Sequence, residues 1–269
     1  MIYKSLKRIY IALILIFMYA PIVTLIVLSF NQSKTRSKWG GFTFKWYVEL
    51  FQNEEIMGAL ANTLIVAFLS AVIATIFGLL GCVVMQRMGR KSRSIATGII
   101  NIPMLNAEIV TGISLMLLFI SFGNILGRLG IRFQLGFMTV LISHITFNIP
   151  YAILSILPRM KQLNPSVYEA ALDLGATKFT AFTKVVLPDL WPGITSGFLM
   201  AFTMSIDDFI ITHFTKGPGF DTLSTKIYTE LRKGIKPEMY ALSTLIFIAV
   251  FVLLLLINRT PKNQPVKHR

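Results

Sequence analysis

Long apolar stretches constrain this chain more than any single motif does. They run near residues 9–30, 60–84, 95–122, 135–156, 190–214 and 241–257. A helix of about 20 residues spans the roughly 30 Å of hydrocarbon in a bilayer, and all but the last stretch reach that length. Inside hydrocarbon each backbone N–H and C=O needs a partner within the protein, so these stretches are predicted to be helices. Pro103 and Pro150 fall inside the third and fourth, where neighbouring helices can satisfy the carbonyls they free. The expected fold is an all-α polytopic membrane protein with six transmembrane helices in one domain, residues 1–269. Composition agrees: 14% of residues are charged and 54% are hydrophobic, whereas a soluble domain carries about 25% charged residues.

The net charge of +14 would suggest a nucleic-acid partner in a soluble protein. Here the basic residues sit at the ends of apolar runs, and no basic stretch interleaved with aromatics is present to hold phosphates, so no nucleic-acid partner is expected. The charges instead describe topology. Arg87, Arg90, Lys91 and Arg93 form a dense basic cluster in a short loop, which marks that loop as cytoplasmic and places both termini inside. Lys4, Lys7 and Arg8 before the first stretch resemble a signal peptide, but the stretch is long enough to span and lacks a clean cleavage site, so it reads as a retained span. One cysteine, Cys82, excludes an internal disulfide framework and a CxxC metal site.

With that topology, residues 160–189 form a cytoplasmic loop between the fourth and fifth spans. Asn164 can cap a helix that has Pro165 at its first position. Val167, Ala170, Ala171 and Leu174 recur at helical spacing, and Gly175 stands where a glycine would stop the helix. Thr177 can cap a second short helix faced by Phe179, Phe182 and Val186, with Pro188 ending it. Two short amphipathic helices outside the membrane need a cover, which could be their own bundle, lipid or a partner's groove.

The pattern Glu169-Ala170-Ala171, then Gly175, then Val185-x-Leu187-Pro188 resembles the EAA signature of ABC importer permeases. It departs from that signature only at Val185, where isoleucine is usual. The run His144–Pro150, the segment Ser205–Asp208, the segment Thr215–Pro218 and Lys45-Trp46-Tyr47 are similar to the spermidine/putrescine permeases of that family. The resemblance implies a type I ABC importer permease fold in the bacterial inner membrane. It implies that Glu169, Ala170, Ala171 and Gly175, with Leu187 and Pro188, couple the chain to an ATP-hydrolysing subunit. The implied partners are a second homologous permease, two ATPase subunits and an external substrate-binding protein. ATP and magnesium would be used by the ATPase, leaving no cofactor in this chain. A P-loop sequence is indeed missing here, as is any HExxH metal motif.

Three carboxylates fall inside apolar stretches: Glu108, Asp207 and Asp208. Each would cost about 2.5–3.5 kcal/mol at the centre of a bilayer on insertion scales, so a function or a paired structural role is expected. At about 1.5 Å per residue, Glu108 lies roughly 20 Å and Asp207 roughly 25 Å from the cytoplasmic end of its span, where both could line one cavity. Adjacent residues on one helix point about 100° apart, so Asp207 and Asp208 cannot both face one spot. Carboxylates would suit a linear polyamine, and an aromatic face such as that of Trp46 or Tyr47 could add a cation–π contact. The resemblance implies Trp46, Glu108, Asp207 and Asp208 as the substrate path, although the family often has Asp at the position of Glu108. The alternatives are that these acids pair with basic groups of a partner or cap a broken helix, and that Trp46 is an interfacial anchor. A permease for another small cation or an iron complex is a second reading. An intramembrane enzyme is disfavoured by the lack of facing catalytic pairs. A secondary transporter is disfavoured by having only six spans, no inverted repeat and a coupling loop it would not need.

Overall fold

A computed structural model of the protein describes residues 2–35, 37–234 and 236–259. In chain order its elements are α1 (Ile2–Ser29), α2 (Lys45–Gln52), α3 (Glu54–Arg87), α4 (Arg90–Leu105), α5 (Glu108–Arg128) and α6 (Phe137–Lys161). Next come α7 (Pro165–Asp173) and α8 (Lys178–Ala181), the latter running through a π-helical turn (Phe182–Val186) into α9 (Leu187–Asp207). The order ends with α10 (Ile210–Thr215), α11 (Leu223–Lys233) and α12 (Pro237–Arg259). The fold is all-helical; among the described residues the only β pairing is an isolated bridge between Asn31 and Phe42. Five helical runs among the described residues are long and apolar enough to cross a membrane: Leu6–Ser29, Glu54–Arg87, Glu108–Arg128, Phe137–Lys161 and Lys178–Asp207. Pro237–Ile248 is apolar but shorter.

Two apolar stretches that read as single spans are broken helices. The stretch 95–122 divides into α4 and α5 at Asn106 and Ala107, whose backbones are extended at ψ 148 and 129. Pro103 lies in the last turn of α4, where its missing N–H leaves Ile99 O free, yet the ladder continues to Asn106 N–H on Ile102 O at 3.1 Å. The stretch 190–214 divides into α9 and α10 at Asp208 and Phe209. Asp207 and Asp208 are therefore separated by the end of a helix, with Asp208 at ψ 124, and the 100° helical offset expected for them does not apply. Pro188, expected to end the second short helix, instead sits in the first turn of α9. The preceding π turn accounts for this. Leu187 N–H bonds five residues back to Phe182 O, and a proline without an N–H is tolerated in the turn that restarts the α register.

The chain forms two compact units, Met1–Met57 with Ile227–Arg269, and Gly58–Lys226. In the first, α1 and α2 pack on α12. The buried side chain of Asn31 ties the loop after α1. Its Oδ1 accepts from Ser33 N (3.1 Å) and Gly40 N (2.8 Å), and its Nδ2 donates to Lys38 O (3.0 Å). Phe30 stacks on Phe42 beside Phe44 and Tyr47.

In the second unit α6 is the most buried of the long helices, and α9 packs along it. Small residues bring the backbones together: a Cβ on Gly197 would stand 3.3 Å from Ala152 O, and one on Gly78 of α3 would stand 2.7 Å from the Ala152 Cβ. Lipid is as apolar as leucine, so such close packing, rather than burial alone, is what holds membrane helices together. Toward the end that carries Met85 and Met160 the three helices share an apolar core of Cys82, Ile153, Ile156, Leu157 and Leu190. The basic cluster finishes α3: the Arg93 guanidinium donates to Met85 O (2.9 Å) and Gln86 O (2.7 Å), carbonyls that a helix end leaves unpaired.

Candidate functional site: a coupling hairpin and a broken-helix acid cluster

The hairpin α7–α8 forms as its sequence predicts. Asn164 Oδ1 accepts from Ser166 N at 3.1 Å and Pro165 follows in the first turn. At the other end Gly175 adopts φ +88, a left-handed conformation that glycine enters without steric cost. Gly175 N–H bonds to Leu172 O and Ala176 N–H to Ala171 O, which together make a Schellman stop. Thr177 Oγ1 then accepts from Thr180 N at 3.2 Å to start α8. Glu169, Ala170, Gly175 and Pro188 are exposed, while Ala171 and Leu187 are half-buried. Leu174 is 90% and Phe179 77% exposed, so the tip of the hairpin presents apolar surface that the chain itself does not cover. Behind it lies a groove of about 530 Å³, lined by residues that include Glu169, Phe179, Phe182, Met160 and Leu80.

The acids inside apolar stretches all stand at the two helix breaks. Glu108 opens α5 just after the first break and is exposed. One turn on, Gly112 abuts α10, where an added Cβ would meet Ile210 O at 3.5 Å and the Phe214 ring at 3.0 Å. That contact sets the first turn of α5 beside the break between α9 and α10.

Asp208 is occupied. Its Oδ1 accepts from Ile211 N (3.2 Å), and its Oδ2 accepts from Thr212 N (2.8 Å) and Thr212 Oγ1 (2.7 Å). It caps α10 and lies 3.3 Å from His144 Nε2, with its side chain only 5% exposed. Ser224 Oγ at the start of α11 donates to Asp208 O at 2.7 Å, fastening the break from the other side.

Asp207 differs from both. Like Glu108 it is exposed, but it stands at the C-terminal end of α9, where the helix dipole is negative and disfavours a carboxylate. Glu108 and Asp208 each open a helix, where the dipole favours them.

Sequence reading missed the polar row behind this cluster. His144 Nδ1 lies 2.5 Å from Ser205 Oγ and Nε2 lies 2.8 Å from Thr212 Oγ1, while Ser70 Oγ donates to Ser205 Oγ (3.1 Å) and Asn148 Nδ2 to Ser70 Oγ (3.4 Å). All five are buried. His144 and Asn148 stand four residues apart in an apolar stretch, so they share one helix face, and that spacing was the available signal.

Trp46 belongs to the other unit. It is 3% exposed, and its indole N–H donates to Asn31 O at 2.7 Å. Among the described residues no cluster of three or more His, Cys, Asp or Glu side chains could hold a metal.

Known proteins share this all-helical architecture. Residues 74–260 match the family described as binding-protein-dependent transport system inner membrane component. The chain belongs to that family. Among related inner membrane components, the spermidine/putrescine transport system permease protein PotC of Escherichia coli (strain K12) is 35% identical over 95% of this chain and 93% of its own length. The putrescine transport system permease protein PotI of the same organism is 38% identical, over 92% of this chain and 89% of its own length. The fold is shared with a bacterial ABC transporter involved in the import of the acidic polysaccharide alginate, at a TM-score of 0.72, 21% identity and coverage of 97% and 99% of the two chains. A second structure, an alginate ABC transporter in complex with a pentasaccharide-bound periplasmic protein, matches at 0.72 with 23% identity, covering 95% of this chain and 91% of that one. Members of the family are transport components, which removes the intramembrane enzyme from the readings of this inner membrane component.

Proposed function

We propose that this chain is the membrane-spanning permease of an ATP-driven importer that takes polyamines from an external binding protein. Asp207 carries this reading: a carboxylate inside an apolar stretch, exposed, with no ion pair among the described residues, and with the negative end of α9 adding to its pull on a cation. Glu108, set beside the same break, would hold a second ammonium of a linear polyamine. Asp208 supports the path by fastening α10; Trp46, in the other unit, fastens the loop after α1. The names of the PotC and PotI relatives support the same substrate class.

Six spans are formed when α12 is added to the five long apolar runs, with both termini cytoplasmic. The exposed α7–α8 tip then docks on a separate ATPase through Glu169, Ala170, Ala171 and Gly175, with Leu187 and Pro188 at its root. ATP and magnesium act in that ATPase, and the assembly contains a second homologous permease, two ATPases and the binding protein. Closure of the ATPase pair moves the hairpin, and the spans alternate between facing out and facing in.

The test is uptake of labelled spermidine by cells carrying this chain with its partner subunits. Asp207→Asn is expected to abolish uptake while the ATPase stays bound and active, and Glu169→Lys to abolish both uptake and ATPase stimulation by the binding protein. An Asp207→Asn transporter with unchanged uptake overturns the substrate-path assignment. A Glu169→Lys transporter that remains coupled overturns the docking assignment.

A further inference from the structure

The buried imidazole of His144 bridges the break in the fifth apolar stretch from one side to the other. Its Nδ1 lies 2.5 Å from Ser205 Oγ, on α9 two residues before Asp207. Its Nε2 lies 2.8 Å from Thr212 Oγ1 on α10 and 3.3 Å from Asp208 Oδ2. The ring is rigid, so the two nitrogens hold the end of α9 and the start of α10 at a fixed separation. Nothing else described on α6 joins both sides of the break by side-chain hydrogen bonds; Thr139 reaches only Thr215 O, at the far end of α10.

The hydrogen-bond directions give the ring one orientation. Thr212 Oγ1 donates its proton to Asp208 Oδ2, so toward His144 it accepts, and Nε2 carries the proton. Ser205 Oγ receives from Ser70 Oγ and so has its own proton free for Nδ1. The row thus runs in one sense, from Asn148 through Ser70, Ser205, His144 and Thr212 to the Asp208 carboxylate, with each hydroxyl both donating and accepting. From Ser205 through His144 and Thr212 to Asp208 every polar group is used, which in a low-dielectric interior favours one arrangement; at the head of the row Asn148 Oδ1 is buried without a partner among the described residues and Ser70 Oγ also lies 3.2 Å from Ala67 O.

We propose that His144 is the positioning residue of the substrate path: it is a strut across the helix break that aims the Asp207 carboxylate and sets the spacing over which a cation is read. The strut touches no substrate. It is buried at 2% exposure and acts only through Ser205, Thr212 and Asp208. The idea that Asp207 meets a polyamine rests on the function proposed above; the claim that His144 fixes where Asp207 points does not.

Two measurements separate these claims. The first needs no substrate. In the assembled transporter, with the buried Cys82 replaced by alanine, Asp207→Cys is labelled with a water-soluble cationic methanethiosulfonate, with His144 intact and as His144→Ala or His144→Gln. Glutamine can still donate toward Thr212 and Asp208 but cannot also reach Ser205. Loss of the strut is expected to slow labelling about tenfold in the alanine variant and less in the glutamine variant, in line with the cost of misplacing a positioned group. The second measures spermidine and putrescine uptake with Asp207 intact. His144→Ala is expected to raise KM about tenfold with Vmax within about twofold, and to narrow the difference in KM between the two polyamines, because the spacing is no longer held. His144→Gln should recover part of both losses.

Labelling rates unchanged or faster in both His144 variants overturn the strut. So does a fall in Vmax alone with KM and the spermidine-to-putrescine ratio unchanged, which is the behaviour of a residue needed only for folding. A wild-type transporter that takes up neither polyamine overturns the proposed substrate, while the labelling comparison still decides for or against the strut.

Discussion

Neighbouring residues of like charge can carry opposite burdens, and Asp207 and Asp208 do. Asp208 spends its oxygens on two backbone amides, a threonine and an imidazole, whereas Asp207 is exposed at the wrong end of a helix dipole. Removing the first should therefore cost stability and removing the second should not. Asp208→Ala is expected to lower stability by about 1–2 kcal/mol, as loss of a helix cap does, seen as a lower thermal midpoint of the purified transporter. Asp207→Ala should leave that midpoint unchanged or slightly raised while uptake is lost. At Trp46 the indole N–H satisfies a buried carbonyl, so Trp46→Phe should cost about 1–3 kcal/mol by leaving Asn31 O unpaired. The sequence announced that these acids were unusual, because a carboxylate in an apolar run is costly wherever it points. It could not announce which was engaged, since the partners of Asp208 come from α6 and α10, and His144 is 64 positions away in the chain.

At the scale of elements, the α7–α8 hairpin was legible almost residue by residue, because each of its signals is local. Asn164, Pro165, Gly175 and Thr177 act within a turn or two of themselves, and each does what its type and position predict. Gly175→Ala should be destabilising by about 1 kcal/mol, the cost of a left-handed residue with a Cβ. Because Gly175 ends the helix that carries Glu169, that variant should also weaken ATPase stimulation at normal levels of assembled transporter. The helix breaks were not legible. An apolar run has the same hydropathy whether its helix is whole or interrupted. The second interruption arises from an aspartate side chain that takes up α10's first amides; the first lies three residues past Pro103, whose missing N–H frees Ile99 O within α4 without ending that helix. Pro188 misled in the opposite direction, since a π turn beforehand lets the helix continue through it.

For the whole molecule, topology is the property the sequence states most openly and the one most readily checked. Single cysteines at exposed positions should divide by side: Thr35→Cys should react with an impermeant maleimide in intact cells, and Ser92→Cys only after the membrane is opened. Reaction at both positions from outside would overturn the orientation. The helical run Lys178–Asp207 has a consequence at this scale. It is one rod of 30 residues, about 45 Å long, with the α7–α8 hairpin at its foot and the acidic break at its head. A tilt of about 10° pivoting at the foot would carry the head sideways by about 8 Å, more than a carboxylate needs to let go of an ammonium. The rod's compliant points lie near the foot: the π turn Phe182–Val186 and, six residues further on, Pro192 inside α9. In the importer proposed above, thrust delivered at the hairpin would travel up this rod through those joints, and stiffening the π turn into plain α-helix would retune the gearing of the machine without touching either end.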